Sequence, residues 1–251
     1  MFRLVKHYYD LIDQNGNAFI IYDAKLHFYG LKIPYSSIIF SDASGNTKEQ
    51  SCLSPLNVSS FKFFQPKLAL EGEYQPQQQF KKLTLFQQDQ KQLEWDCHSP
   101  KTWTEVIFNQ QRYQGFGYAE SLSLNFFPWL LPIDELYWGR FVSESHSIVW
   151  IEWRGKQPFK QLIYNQHLSH SFELAANQLV TAQFRLDFDE PIMIKNSPLL
   201  SVIKSVPFLS FFVNKRFTDS QEIKWKSRAT LHIGDTMEKG WVLYEKVIWK
   251  S

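Results

Sequence analysis

Apolar residues along this chain alternate with polar ones in short runs, and clusters of Asn, Asp, Ser and Pro separate the runs. A period of two marks strands that turn one side chain toward a core and the next away from it. The first runs, Tyr8-Tyr9-Asp10-Leu11-Ile12 and Ala18-Phe19-Ile20-Ile21-Tyr22, flank Gln14-Asn15-Gly16-Asn17. Asn-Gly readily supplies the positive φ values of a tight turn, so this stretch predicts a hairpin. Further strands are expected at 25–31, 36–41 and 59–64, with a polar turn at Asp42-Ala43-Ser44-Gly45-Asn46. Residues 67–74 alternate as well, and 82–88 with 92–97 reads as another hairpin.

The stretch 113–155 is the most distinctive. Trp129, Trp138, Trp150 and Trp153 fall there among Glu120, Asp134, Glu135, Arg140, Glu144, His146 and Glu152. It predicts strands at 117–126, 136–143 and 147–153, the last two as a hairpin, and another strand at 159–165. Residues 178–188 and 192–195 alternate again. The segment 199–212 is the one with helical spacing, interrupted by Pro207. Strands at 222–233 and 240–249 close the chain across Gly234-Asp235. Strands at roughly ten-residue spacing predict an all-β sandwich or barrel. Polar stretches at His98-Ser99-Pro100 and Asn109-Gln110-Gln111 suggest a boundary, giving domains 1–110 and 111–251. A short echo between 22–30 and 150–155 is too brief to establish duplication.

Composition sharpens this picture in two ways. Aromatic residues make up 17% of the 251, more than a core of this size ordinarily needs, and they favour pleated surfaces. The net charge is only +2 and no basic block stands out, which argues against nucleic acid as a partner. Cys52 and Cys97 form no scaffold pattern and are expected as reduced thiols. The opening residues lack the apolar core of a signal peptide, and no run of about 18 apolar residues suggests a span. A cytoplasmic protein is expected.

Several segments together resemble a known group. They are HYYDLIDQNGNAFIIYDAKLHFYGLK at the start, GFGYAESL, LPIDELYWGRF and WIEWRG in mid-chain, and KGWVLYEKVIW at the end. The set resembles the hydroxyneurosporene synthase and AttH-like superfamily, whose members carry two lipocalin-like β-barrels in tandem. The resemblance implies that fold here, to which the spacing of 199–212 adds one short helix. It also implies a hydrophobic small-molecule partner, with hydration or cyclisation of isoprenoids or polyketides as the chemistry; a non-catalytic lipid or pigment carrier, and a protein-interaction module with filled barrels, stay open as alternatives. Where the family opens on Trp-Trp-Tyr, this chain has His7-Tyr8-Tyr9.

Such chemistry needs an acid to protonate a double bond and aromatic faces to stabilise the cation that results. A carboxyl group among apolar rings is desolvated, which favours its protonated form. Glu120 is the expected acid, with Arg140 orienting the site. Tyr118, Trp138, Trp150, Glu152, Tyr8 and Asp10 are the expected ligand-binding residues. The structural alternative stays open: Glu120 or Glu152 pairs with Arg140 or Arg154 in an ion-pair network. In the same spirit, Trp138 and Trp150 serve as core, and Asp10 is satisfied by Tyr8. His146 reads as a solvated loop residue. His167 and His170 lack the partners of a zinc site, so no metal and no cofactor is expected. No dinucleotide fingerprint, phosphate loop, nucleophile elbow or HExxH motif is present.

Overall fold

A computed structural model describes residues 2–199, 214 and 219–249. The chain divides into two units, Met1–Leu130 and Leu131–Ser251. The first unit holds β1 (Phe2–Asp13), β2 (Ala18–Phe28), β3 (Leu31–Ser41), β4 (Thr47–Cys52), β5 (Asn57–Ser59), β6 (Lys62–Gln65), β7 (Leu70–Pro76), β8 (Leu83–Gln88), β9 (Lys91–Phe108) and β10 (Gln111–Leu124). The second holds β11 (Glu135–Val142), β12 (Ser147–Arg154), β13 (Phe159–Tyr164), β14 (His167–Ser169), β15 (Glu173–Leu174), β16 (Gln178–Val180), β17 (Arg185–Phe188), β18 (Ile192–Pro198), β19 (Gln221–Ile233) and β20 (Thr236–Ile248).

In the first unit the strand order is β4-β3-β2-β1-β10-β9-β7-β6-β5, with β8 also paired to β9. In the second it is β14-β13-β12-β11-β20-β19-β17-β16-β15, with β18 also paired to β19. Adding ten to each label of the first order gives the second. The two units are therefore topological repeats, each a lipocalin-like antiparallel sheet. The echo between 22–30 and 150–155 falls on the equivalent strands β2 and β12 and the turns after them.

The domain boundary expected at 110/111 is corrected. Strand β10 pairs with β1 on one side and β9 on the other, so residues 111–124 complete the first sheet. The polar stretch His98-Ser99-Pro100 misled because it lies inside β9. There the register with β10 shifts between Gly117 and Ser121, which is how a strand accommodates a proline that has no N–H to give. Asn109 and Gln110 form a tight turn, both at positive φ.

Other boundaries moved for similar reasons. The expected strand 25–31 is split by Tyr29-Gly30, a two-residue turn with φ of 47° and 88°. A tyrosine is not the residue that announces such a turn. Ser60, at φ 54°, divides the expected strand 59–64 between β5 and β6. The stretch 178–188 is two strands, β16 and β17. The expected helix lies outside the described residues but for Leu199. No helix among the described residues is long and apolar enough to cross a membrane.

The two Asp-x-x-Gly-Asn sequences fold alike. In each, the Gly N–H donates to the Asp carbonyl (3.1 Å for Gly16, 3.0 Å for Gly45), and the glycine sits near φ 90°. Asp13 also accepts from the Asn17 backbone and side chain, and Asp42 accepts from Asn46 in the same way.

Each unit has its own core. In the first, Tyr9, Leu11, Phe19, Ile21, Ile38, Phe63, Leu70 and Val106 pack together. In the second, Phe141, Ile148, Trp150, Leu162, Leu179, Leu186, Leu231 and Val242 do so. The central strands are buried on the other face too. In β1, residues 8–13 are buried without a break, so no alternation of polarity tells the faces apart.

Candidate functional site

In the first unit the register of β1 with β10 sets Tyr8 opposite Glu120 and Asp10 opposite Tyr118. Residues opposite one another share a face, so four expected site residues are neighbours. Their face is the one turned away from Tyr9, Leu11 and Ala119 of the core. Tyr8 donates its hydroxyl to Asp10 Oδ2 at 3.0 Å. Its ring meets Tyr22 edge-on at 5.3 Å and Tyr118 at 5.8 Å.

Glu120 is the centre of this group and is only 8% exposed. Its Oε2 accepts two donors, the Tyr118 hydroxyl at 2.6 Å and the indole N–H of Trp95. Its Oε1 has no hydrogen-bond partner among the described residues. An oxygen that already accepts two donors is anchored, so the carboxyl group is held in one orientation. Burial first, then the nearby Cys97 and Glu120, push the Tyr118 hydroxyl well above its usual range, so it remains a donor. Burial likewise pushes the Cys97 thiol up, keeping it neutral.

Trp95 and Cys97 belong to this group and were not foreseen. They lie on β9, and the bulged register near Ser99 fixes their depth. The period-two pattern of β9 showed a strand but not its offset against β10.

The remaining expected residues lie in the second unit and do not share one face. Gly139 stands opposite Trp150, and Tyr137 opposite Glu152, so Trp150 and Glu152 join the core face. Trp138 and Arg140 point the other way, with Ile151, Val149 and Leu243 as their neighbours in register. Glu120 and Arg140 thus belong to different units, and Glu120 is held by Trp95 and Tyr118 rather than by an arginine.

Glu152 is in the ion-pair network foreseen as its alternative role. Arg154 Nε donates to its Oε1 at 2.7 Å, and Lys160 Nζ lies 3.7 Å from the same oxygen. Arg154 also covers the Tyr137 ring, 4.3 Å from its centre, and donates to the Tyr137 hydroxyl and the Leu174 carbonyl. Tyr137 donates in turn to Glu135, which pairs with Lys246 at 2.6 Å. The bond to Glu152 is the largest influence raising the Arg154 guanidinium.

His146 is half-buried rather than solvated. It meets Glu238 at 2.5 Å and stacks on Tyr164. His170 contacts the Lys160 carbonyl at 3.0 Å. Among the described residues no group of three or more His, Cys, Asp or Glu is placed to hold a metal ion. Both cysteines are free thiols. A cleft of about 440 Å³ in the first unit opens against Phe2, Phe126, Phe127 and Leu130, with Lys91 at its wall. None of the expected site residues lines it.

The fold and this buried acid define a class: a tandem lipocalin-like β-protein with a carboxylate enclosed by aromatic rings. The sequence matches no family model and no curated protein. By shape, the chain is similar to CghA solved with Sch210972, with a TM-score of 0.65 at 9% identity over 99% of this chain and 89% of that one. CghA in a second structure gives 0.62 at the same identity and coverage. An AttH-type protein of Nitrosomonas europaea gives 0.52 at 9% identity, over 97% of this chain and 92% of that one. Likeness at this identity is likeness of fold.

Proposed function

We propose that the chain binds a hydrophobic small molecule and acts on it by acid–base chemistry at Glu120, as a hydratase or cyclase of isoprenoid- or polyketide-like compounds. The observation that carries this reading is the Glu120 carboxyl group itself. One oxygen is fixed by Tyr118 and Trp95, the other has no partner, and Tyr8, Tyr22 and Tyr118 supply aromatic surface around it. A proton on Oε1 passes to an alkene carbon, and a carbocation forms beside the aromatic rings. Water or a second double bond of the ligand then closes on that cation. The proton released at the end returns to the carboxylate, so acid and electrons balance over the cycle. Tyr8 and Asp10 line the same face and would contact the ligand.

A likeness in fold to CghA, which was solved with Sch210972, supports the binding half of the proposal. A hydroxyneurosporene synthase-type hydration is one member of the proposed reaction class, with His7-Tyr8-Tyr9 at the position of the family's opening motif.

The test has two parts. Native mass spectrometry of protein purified from its own host should show a co-purifying hydrophobic ligand. Glu120→Gln keeps an oxygen for Trp95 and Tyr118 but replaces the acid, so it should fold, bind and fail to convert. Conversion at the wild-type rate would remove Glu120 from the chemistry. A ligand that leaves unaltered on incubation with wild-type protein would make the chain a carrier.

A further inference from the structure

We propose that the core face of the second unit is a ligand site in its own right, taking a neutral hydrophobic molecule whose hydroxyl or amine donates to Glu152 Oε2. This does not depend on the Glu120 reading, since every group involved belongs to residues 131–251.

Registers set two adjacent rows across the sheet. In one row Trp225, Tyr244, Gly139 and Trp150 lie side by side on β19, β20, β11 and β12. In the next row Lys246, Tyr137, Glu152 and Lys160 follow on β20, β11, β12 and β13. An aromatic strip therefore borders a polar one, the arrangement that orients an amphiphilic guest.

The aromatic strip is continuous. Phe188 of β17 stacks on Trp150 at 5.8 Å and touches Tyr244 at 5.3 Å, and Tyr244 stacks on Trp225 at 5.2 Å. Gly139 makes room for it, because a Cβ there would meet the Trp150 ring at 2.1 Å. Trp150 is buried at one end, while Tyr244 and Trp225 keep partial exposure at the other. The strip thus runs from partly exposed rings to the buried Trp150 as its floor.

Beside that floor lies an unmet acceptor. Glu152 is 4% exposed, and its Oε2 is buried with no hydrogen-bond partner. Leaving a buried carboxylate oxygen without a donor is costly, so an occupant that supplies one is favoured. Arg154 and Lys160 already balance the charge through Oε1. The group missing at Oε2 is therefore a neutral donor and not another cation. The Tyr244 hydroxyl makes no hydrogen bond among the described residues, and burial alone raises it to about 12. It offers a second polar contact along the strip.

The test is calorimetric titration of the full chain with 2-naphthol and with 2-methylnaphthalene, which keeps the shape but lacks the donor. Wild-type protein should bind one 2-naphthol and prefer it by about tenfold. In Glu152→Gln the amide oxygen stays with Arg154 and the amide NH2 faces the ligand, so that preference should vanish. Equal affinity for the two probes, no binding of either, or a preference retained in Glu152→Gln would overturn the proposal. Should Glu152→Gln fail to fold, Trp225→Leu on the partly exposed end decides the matter. Weaker binding of both probes supports the site, and unchanged binding overturns it. The readout needs no turnover, so its failure would leave the Glu120 reading standing.

Discussion

Gly139 shows how much one absent methyl group can decide. Its backbone passes beneath the Trp150 indole, and a Cβ would lie 2.1 Å from one ring atom and 2.5 Å from another. Gly139→Val should therefore displace Trp150 and disrupt its stacking on Phe188. Forced overpacking of this kind costs roughly 1–3 kcal/mol or more. Urea unfolding followed by tryptophan fluorescence should show a lower midpoint, and an unchanged midpoint would mean the ring has room to move. A related logic applies to Glu152 and Arg154. The sequence put an acid and an arginine two residues apart on one strand, and the structure joins them at 2.7 Å. That contact was legible from period-two alternation alone. The orientation of Oε2 was not, because it depends on which groups β13 and β11 place around the carboxylate.

At the scale of elements, the turns explain most of what the sequence showed and what it hid. Asp13-Gln14-Asn15-Gly16-Asn17 and Asp42-Ala43-Ser44-Gly45-Asn46 carry their own closing hydrogen bonds. Both were recognisable because the asparagines, aspartates and glycines that make them act locally. Asp13→Ala removes two hydrogen bonds from a buried carboxylate and should cost about 1–3 kcal/mol. A chemical denaturation curve will measure it, and a change near zero would show that Asn17 finds other partners. Tyr29-Gly30 and Ser60-Phe61 turn just as sharply without an aspartate or asparagine, and both were read as strand. One edge strand of each sheet is very short: β5 spans three residues and β15 two. Short edges leave little unpaired backbone for another chain to dock on.

For the whole molecule, acid should loosen the two units over different pH ranges. In the first unit burial lowers His7 below its ordinary 6.5, opposed by Asp23. The fold therefore holds His7 neutral, and its contribution is full above the unfolded value and lost as pH falls below it. His7→Gln should flatten the loss of stability as pH falls below the ordinary 6.5, measured as urea midpoints at successively lower pH. An unaltered slope would show that another group titrates there. In the second unit burial alone would raise Glu135 and Glu238. Hydrogen bonds and charges from Lys246 and Tyr137 in one case, and from Ser143, Ser145 and His146 in the other, more than reverse it. Their folded values lie below the ordinary 4.5, so their contribution is complete above that value and disappears as pH falls through the lowered ones. Glu238→Gln should thus matter at neutral pH and cease to matter in stronger acid.

Alternation, turn chemistry and aromatic content determined that this protein is built of short β-strands joined by polar turns, because these signals act between residues close in the chain. They also brought Tyr118 and Glu120 to one face, since a strand sets that by itself. What only the tertiary structure decided is whom those residues meet. Trp95 reaches Glu120 because a bulge near Pro100 shifts β9 by a set amount, and Arg140 lies in a different unit because β10 joins the first sheet. Register and sheet membership are long-range choices. Where both faces of a strand are buried, as along residues 8–13, the local pattern holds no polarity from which they can be read.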